Sequence, residues 1–175
     1  MTSKSPIPIE FLLLVSLVAF HGCNGSSMKS LFPRGRESSS PLEHAHAPLS
    51  IWHDSYESAI EESLKTGKPI LADFTGSDWC HWCVKLKTDV FETVTFRNWA
   101  QDNVVLLELD FPKRGMQAPR IKQQNQELAN RFQIKSYPTV LFLDSNGGKI
   151  GTLGYLKDPE DWIAQAEIQL SGGAE

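Results

Sequence analysis

The chain has 175 residues, a formal net charge of −4, 41% hydrophobic residues and 22% charged ones. That is room for one domain with a sizeable core plus a tail, in the proportions of a soluble globular protein. The acidic balance and the lack of a basic stripe argue against a nucleic-acid binder, and no stretch reaches the roughly 20 apolar residues of a membrane span.

Phe11 to Phe20 is an apolar block broken only by Ser16, with Lys4 and Glu10 before it and His21-Gly22-Cys23 after it. It reads as a secretory h-region, too short for a span, so residues 1–23 are expected to be a signal peptide. Gly22-Cys23 resembles the end of a bacterial lipobox, which makes Cys23 a lipidation candidate. Residues 24–48 are rich in Ser, Pro, Gly and His without apolar periodicity, and read as a flexible linker. His44 and His46 within it are expected to be solvated rather than metal-bound. The chain has three cysteines. With Cys23 lipidated or removed, Cys80 and Cys83 remain as a pair and none is left for structural crosslinks.

The domain is expected over residues 49–172. Leu49–Trp52 reads as a first strand. Asp54, with Glu57 three residues on, reads as a capping box opening a helix whose apolar face is Tyr56, Ala59, Ile60 and Leu64. Thr66-Gly67-Lys68-Pro69 ends it. Pro69–Phe74 is a buried strand and Thr75–Asp78 the loop leaving it. From Cys80 a helix runs to about Phe91, followed by a second helical segment over 95–101. Val104–Asp110 is a strand whose continuous apolar character predicts burial on both faces. Phe111–Pro119 reads as an insertion or ordered loop facing solvent. Ile121–Phe132 is a polar helix, and Ile134–Leu143 holds Pro138 just before a strand, where proline can give no ladder hydrogen bond. Ser145–Gly148 is a hairpin turn, Lys149–Thr152 a strand, and Asp158-Pro159 a strong helix start. Trp162, Ile163, Ala166 and Leu170 give that last helix its buried face. The order is β-α-β-α-β-α-β-β-α.

The chemistry concentrates at Trp79-Cys80-His81-Trp82-Cys83. Cys80 falls at a helix N-terminus, where unpaired N–H groups and the positive dipole end favour an anion, and the thiolate is the reactive form of cysteine. Cys83, one turn later, is close enough to close a small disulfide ring. The pair reads as a dithiol/disulfide switch in which Cys80 attacks and Cys83 resolves. Cys-x-x-Cys is also half of many zinc sites, but zinc needs about two further ligands. No histidine follows His81 and no cysteine follows Cys83, so no metal is expected. Asp73 stands inside an apolar strand, which is costly for a carboxylate unless it has a partner or stays protonated.

The strand, short loop, Trp-Cys-x-x-Cys and helix resemble the thioredoxin superfamily. The longer string Phe74 to Cys83 is similar to a bacterial periplasmic subgroup of disulfide reductases, which takes in a chlamydial Dsb-type reductase and the C-terminal domain of the DsbD electron carrier. The resemblance covers about residues 49–170. It implies an α/β thioredoxin fold, a central mixed sheet flanked by helices. It also implies that Asp73 lies beneath the disulfide and exchanges protons with Cys83. Asp73 precedes Cys80 by seven residues, one more than in thioredoxin itself. The matching proline, Pro138, would be cis and packed beside the disulfide, exposing the backbone at Tyr137 for strand-like pairing with substrate. Gly154 would let substrate backbone approach. Trp79 is expected to pack against the active-site loop, and Trp82 to pack on the helix or face substrate. Oxidases and isomerases carry histidine directly before the second cysteine. Here Trp82 takes that slot and His81 the other, which favours a potential nearer about −270 mV than about −120 mV.

The implied function is an exported, periplasmic, monomeric protein-disulfide reductase without organic cofactor. It would be tethered if Cys23 carries lipid, would act on proteins with disulfides, and would be regenerated by a membrane thiol electron donor. An isomerase or oxidase on the same fold, and a redox-inert binding module, are the alternatives.

Overall fold

Two strands of the same pattern form the middle of the sheet. Ile70-Leu71-Ala72-Asp73-Phe74-Thr75 and Val105-Leu106-Leu107-Glu108-Leu109-Asp110 each alternate between the two faces, and each carries its first acid at the fourth position. The computed structural model describes residues 52–172. The expected signal segment 1–23 with Cys23, the linker 24–48 with His44 and His46, and Leu49 to Ile51 of the expected first strand lie outside the described residues.

In chain order the elements are β1 (Trp52–His53), α1 (Tyr56–Thr66), β2 (Ile70–Thr75), α2 (His81–Leu86) continued by a π-helical turn (Lys87–Phe91), α3 (Val94–Asn103), β3 (Val105–Asp110), α4 (Pro119–Arg131), β4 (Thr139–Leu143), β5 (Lys149–Leu153) and α5 (Pro159–Ser171). The sheet runs β1-β3-β2-β4-β5. β1, β3 and β2 are parallel, and β4 and β5 are antiparallel to their neighbours. This is the expected mixed sheet.

Strand alternation divides the core in two. On one face Leu71, Leu106, Val140 and Phe142 meet Phe91, Phe96 and Trp162 from the π turn, α3 and α5. On the other, Ile70, Ala72, Phe74, Leu107 and Leu141 meet Ala59 of α1 and Leu128 and Ala129 of α4. The first face changes character along its strands. It is apolar at Leu71 and Leu106, then polar at Asp73, Thr75, Glu108 and Asp110. That polar end lies where β2 and β3 finish, and where the cysteine loop begins.

Local boundaries follow from specific groups. The N-cap of α1 is Ser55, whose hydroxyl accepts from Ser58 N at 3.4 Å, and not the expected Asp54. Gln124 of α4 explains the shift: its side chain accepts from Tyr56 N at 2.9 Å and donates to the Asp54 carbonyl at 3.0 Å. Gly67, at φ 72°, ends α1 as expected. β4 starts at Thr139, directly after Pro138 as expected, since Pro138 has no N–H to give the ladder. Asp158 caps α5 by accepting from Glu160 N and Asp161 N.

Trp162 is fully buried, touches Phe91, Phe96 and Phe142, and donates its indole N–H to the Gly154 carbonyl at 3.0 Å. Trp162→Ala should lower unfolding free energy by about 3–5 kcal/mol, as large-to-small changes of buried aromatics do. Denaturant titration of the oxidised protein checks this.

Candidate active site

The site begins with the turn after β2. The Gly76 carbonyl accepts from Cys80 N at 2.9 Å and from Trp79 N at 3.3 Å, folding Ser77–Trp79 back over the strand end. A Cβ at residue 76 would lie 2.5–2.7 Å from atoms of the Trp79 indole, so this turn requires glycine. Trp79 is 40% exposed but fixed. Its Nε1 donates to the Phe111 carbonyl at 2.7 Å, its ring meets Tyr137 edge-on at 5.6 Å, and Lys113 Nζ sits 4.0 Å from its centroid.

Cys80 is the N-cap of α2 and is disulfide-bonded to Cys83, with Cα atoms 5.2 Å apart. Its Sγ accepts from Cys83 N at 3.2 Å. That backbone N–H, in the first turn of the helix, is shared with the Cys80 carbonyl at 3.1 Å and would stabilise a Cys80 thiolate after reduction. Cys80 and Cys83 are both buried, at 6% and 3% exposure.

His81 and Trp82 project outward, with ring centroids 5.3 Å apart. Trp82 lies against Tyr155 at 5.2 Å. Tyr155 donates to Asp89 at 2.8 Å, and Asp89 also pairs with Lys85 at 3.4 Å. The Tyr155 hydrogen bond leads the causes that hold the Asp89 carboxyl below its usual range. Tyr137 packs between Trp79 and Phe111, and the Tyr137–Pro138 bond is cis. Gly154 has open space where a side chain would stand. Thus Trp79 and Tyr137 form one aromatic pair at the site and Trp82 and Tyr155 another. Sequence reading missed Tyr155, whose only signal is its place directly after Gly154.

Asp73 lies inside, not at a solvent-facing strand end. It is 5% exposed and its Oδ1 has no hydrogen-bond partner. Burial, reinforced by the negative charges of Glu108 and Asp110 and partly offset by Lys87, pushes its pKa up to about 8. A cavity of about 480 Å³ brings Asp73 together with Cys83, Thr75, Lys87 and Glu108. Burial likewise raises Glu108. Sequence reading passed over Glu108 by treating its strand as uniformly apolar; its register opposite Asp73 was the available signal.

The 111–118 segment is tied to the cysteine loop by the Asp78 carboxylate. Asp78 accepts from the backbone N–H of Lys113 (2.9 Å), Arg114 (2.6 Å) and Gly115 (3.1 Å), which hold its carboxyl below the ordinary range. Asp110 accepts from Ser77 N at 2.8 Å and from Ser77 Oγ at 2.6 Å. This loop, expected only to face solvent, is exposed at residues 113–116 yet carries the ammonium that covers Trp79.

Among the described residues no group of three His, Cys, Asp or Glu is arranged to hold a metal ion, and no helix is long and apolar enough to cross a membrane.

A cysteine pair closing the turn after the central strand of a β1-β3-β2-β4-β5 sheet is the arrangement of thioredoxin-fold redox proteins. The family model described as a thioredoxin-like domain matches residues 56–167, and the chain belongs to that family. It is 32% identical over 139 residues to the Disulfide bond reductase DsbH of Chlamydia pneumoniae, covering 78% of this chain and 84% of that one. The solved structure of a DsbH oxidoreductase superposes with a TM-score of 0.70 at 29% identity, over 79% of this chain and 95% of that chain. The C-terminal domain of DsbD from Neisseria meningitidis, in its oxidised form, shares the fold: TM-score 0.51, 19% identity, 65% of this chain and 91% of that one. The chain is thus similar to Dsb-type members of the family, and it carries a disulfide between Cys80 and Cys83.

Asp73 makes stability depend on pH. Its folded pKa is raised from 3.8 to about 8, so between these values the folded state holds more protons than the unfolded chain. Stability is then greatest below that window and falls as pH rises through it. In the oxidised protein, Asp73→Asn should remove this decline, gaining on the wild type by about 2–4 kcal/mol between about pH 5 and pH 8. Denaturant titrations of both proteins across that range measure it, and parallel stability curves would contradict the assignment.

Proposed function

We propose that this chain is an exported protein-disulfide reductase, working through Cys80 and Cys83 over the buried carboxylate of Asp73. The observation that carries the reading is the disulfide itself. It joins a helix-capping sulfur, which accepts an N–H from Cys83, to an inner sulfur that shares a cavity with Asp73. The reductase direction is further supported by the relative named a disulfide bond reductase, of which this chain covers 84%.

In the reduced protein the Cys80 thiolate attacks one sulfur of a substrate disulfide. A mixed disulfide forms, and the other substrate sulfur leaves as a thiolate that takes up a proton. In molecules whose Asp73 is ionised, a minority at neutral pH, Cys83 then gives its proton to the Asp73 carboxylate and attacks Cys80 Sγ. The Cys80–Cys83 bond forms, the bond to substrate breaks, and the second substrate sulfur leaves and is protonated. Two electrons have passed from the Cys80–Cys83 dithiol to the substrate disulfide, so a dithiol donor must restore the starting state. We assign that role to a membrane thiol carrier. Trp79, Tyr137, Pro138 and Gly154 are the surface assigned to substrate, and His81 and Trp82 tune and flank the attacking sulfur. The export reading places the protein in the periplasm, as a monomer, with residues 1–23 as signal, residues 24–48 as tether and Cys23 as the lipid-bearing position. No metal or organic cofactor enters the reaction.

Titrating the couple in defined thiol/disulfide buffers, read by Trp79 and Trp82 fluorescence, separates the readings. A reductase should equilibrate below about −230 mV; a value of about −120 to −180 mV would point to an oxidase or isomerase, and no transition to a redox-inert module. As a second check, Cys83→Ser should accumulate a Cys80 mixed disulfide with substrate, seen by mass spectrometry, whereas Cys80→Ser should trap none. Mixed-disulfide capture by Cys80→Ser instead would reverse the roles of the two cysteines.

A further inference from the structure

The cavity behind the disulfide contains more than one acid. Asp73 and Glu108 are register partners on adjacent parallel strands, so their side chains leave the same face of the sheet about 4.8 Å apart. Both line the cavity with Cys83, and Lys87 lines it from the π turn. Exposure rises along the set: Asp73 is buried, Glu108 half-buried and Lys87 exposed. Asp73 Oδ1 is buried without a hydrogen-bond partner.

We infer that Glu108 is a positioning residue for the proposed reaction: it shares a proton with Asp73 across the cavity and passes it between Asp73 and water. The inference rests on the Cys80/Cys83 reading for its kinetic consequence but not for the coupling itself. When Asp73 has taken the proton of Cys83, it must lose that proton before the next cycle. Asp73 is only 5% exposed, while Glu108, its register partner, is half-buried and lines the same cavity closer to solvent. The proton moves from the Asp73 carboxyl to the Glu108 carboxylate and then to water, leaving both groups as they began. The charged groups facing the pair are Asp110 on β3, Lys87 on the π turn and Glu92 just beyond it; β1 contributes the uncharged Trp52. Two carboxylates this close, with one cation beside them, resist being ionised together. Burial raises both groups, the Glu108 charge raises Asp73 further, and Asp110 raises and Lys87 lowers each of them.

Two measurements on the full chain test this, using Glu108→Gln, Asp73→Asn and the double variant, with thermal unfolding as a check on folding. The first follows the Asp73 carboxyl carbon by NMR against pH in the oxidised protein, where cysteine chemistry plays no part. Removing the Glu108 charge should lower the Asp73 midpoint by at least about half a pH unit. An unmoved midpoint overturns the proposal.

The second mixes reduced protein with the aromatic disulfide 5,5′-dithiobis(2-nitrobenzoate). One thionitrobenzoate equivalent is released as Cys80 attacks, and a second in the concentration-independent step as Cys83 resolves. Glu108→Gln should slow the second phase by about five-fold near neutral pH and remove one ionisation from its pH profile. The double variant should be no slower than Asp73→Asn alone. Superimposable profiles, or rate losses that multiply, overturn the relay. Failure of the wild type to show two phases would instead count against the redox reading, while the NMR midpoint still decides the coupling.

Discussion

The structure depends on a carboxyl group placed where no hydrogen bond satisfies it. Asp73 occupies the fourth position of the central strand, with its Oδ1 unpaired and its pKa pushed to about 8. An unpaired buried polar group costs on the order of 1–3 kcal/mol, and an ionised one costs more. The protein tolerates this because the group can remain protonated in ordinary conditions and because a cavity adjoins it. The strand around Asp73 is otherwise wholly buried, and its opposite face carries Ile70, Ala72 and Phe74 into a separate apolar cluster. The sheet thus fixes the position of the acid through hydrophobic contacts on the face that takes no part in the chemistry.

A second constraint acts on the loop that follows. Gly76 must lack a side chain for the Trp79 indole to close over it, and Trp79 is then held by the Phe111 carbonyl, Tyr137 and Lys113. Asp78 and Asp110 act reciprocally: the cysteine loop binds the 112–115 backbone through Asp78, and β3 binds the cysteine loop through Asp110. Three backbone N–H groups on one carboxylate form a charge-assisted set that is stronger than neutral hydrogen bonds, though its exposure to solvent weakens it. The cysteine turn is therefore tied on both sides before α2 begins, so the position of Cys80 does not depend on the short helix alone.

What was legible in the sequence was local. Cys80 and Cys83 stand at a helix start by spacing alone, and Asp158-Pro159 announces α5 within one residue. The three inner strands were readable because each carries a short apolar run: Ile70–Ala72, Val105–Leu107 and Val140–Leu143. Features set by distant residues were not readable in the same way. The cap of α1 moved from Asp54 to Ser55 because Gln124, seventy residues away, bonds the Asp54 carbonyl. Asp78 looked like a turn residue, since its partners lie thirty-five or more positions later. Glu108 was lost for a different reason. Treating the whole of β3 as buried on both faces hid the acid that the register sets beside Asp73.

That register bears on how charge is managed at the cysteine pair. A disulfide has neither charge nor proton, so in the oxidised protein the inner part of the cavity holds the Asp73 and Glu108 carboxyls against the Lys87 ammonium, with the exposed Glu92 also in its lining. One carboxylate against one ammonium is the least costly combination, and it leaves one proton on the acid pair. Reduction adds a thiol at Cys83 that competes for the same small stock of protons. Ionising Cys83 without moving a proton onto Asp73 would set a second negative charge in a space that already disfavours one. Proton transfer within the cavity avoids that, because the total charge does not change. The polar end of an otherwise apolar sheet face, four residues along each of two adjacent strands, is what makes such a neutral exchange available beneath the inner sulfur.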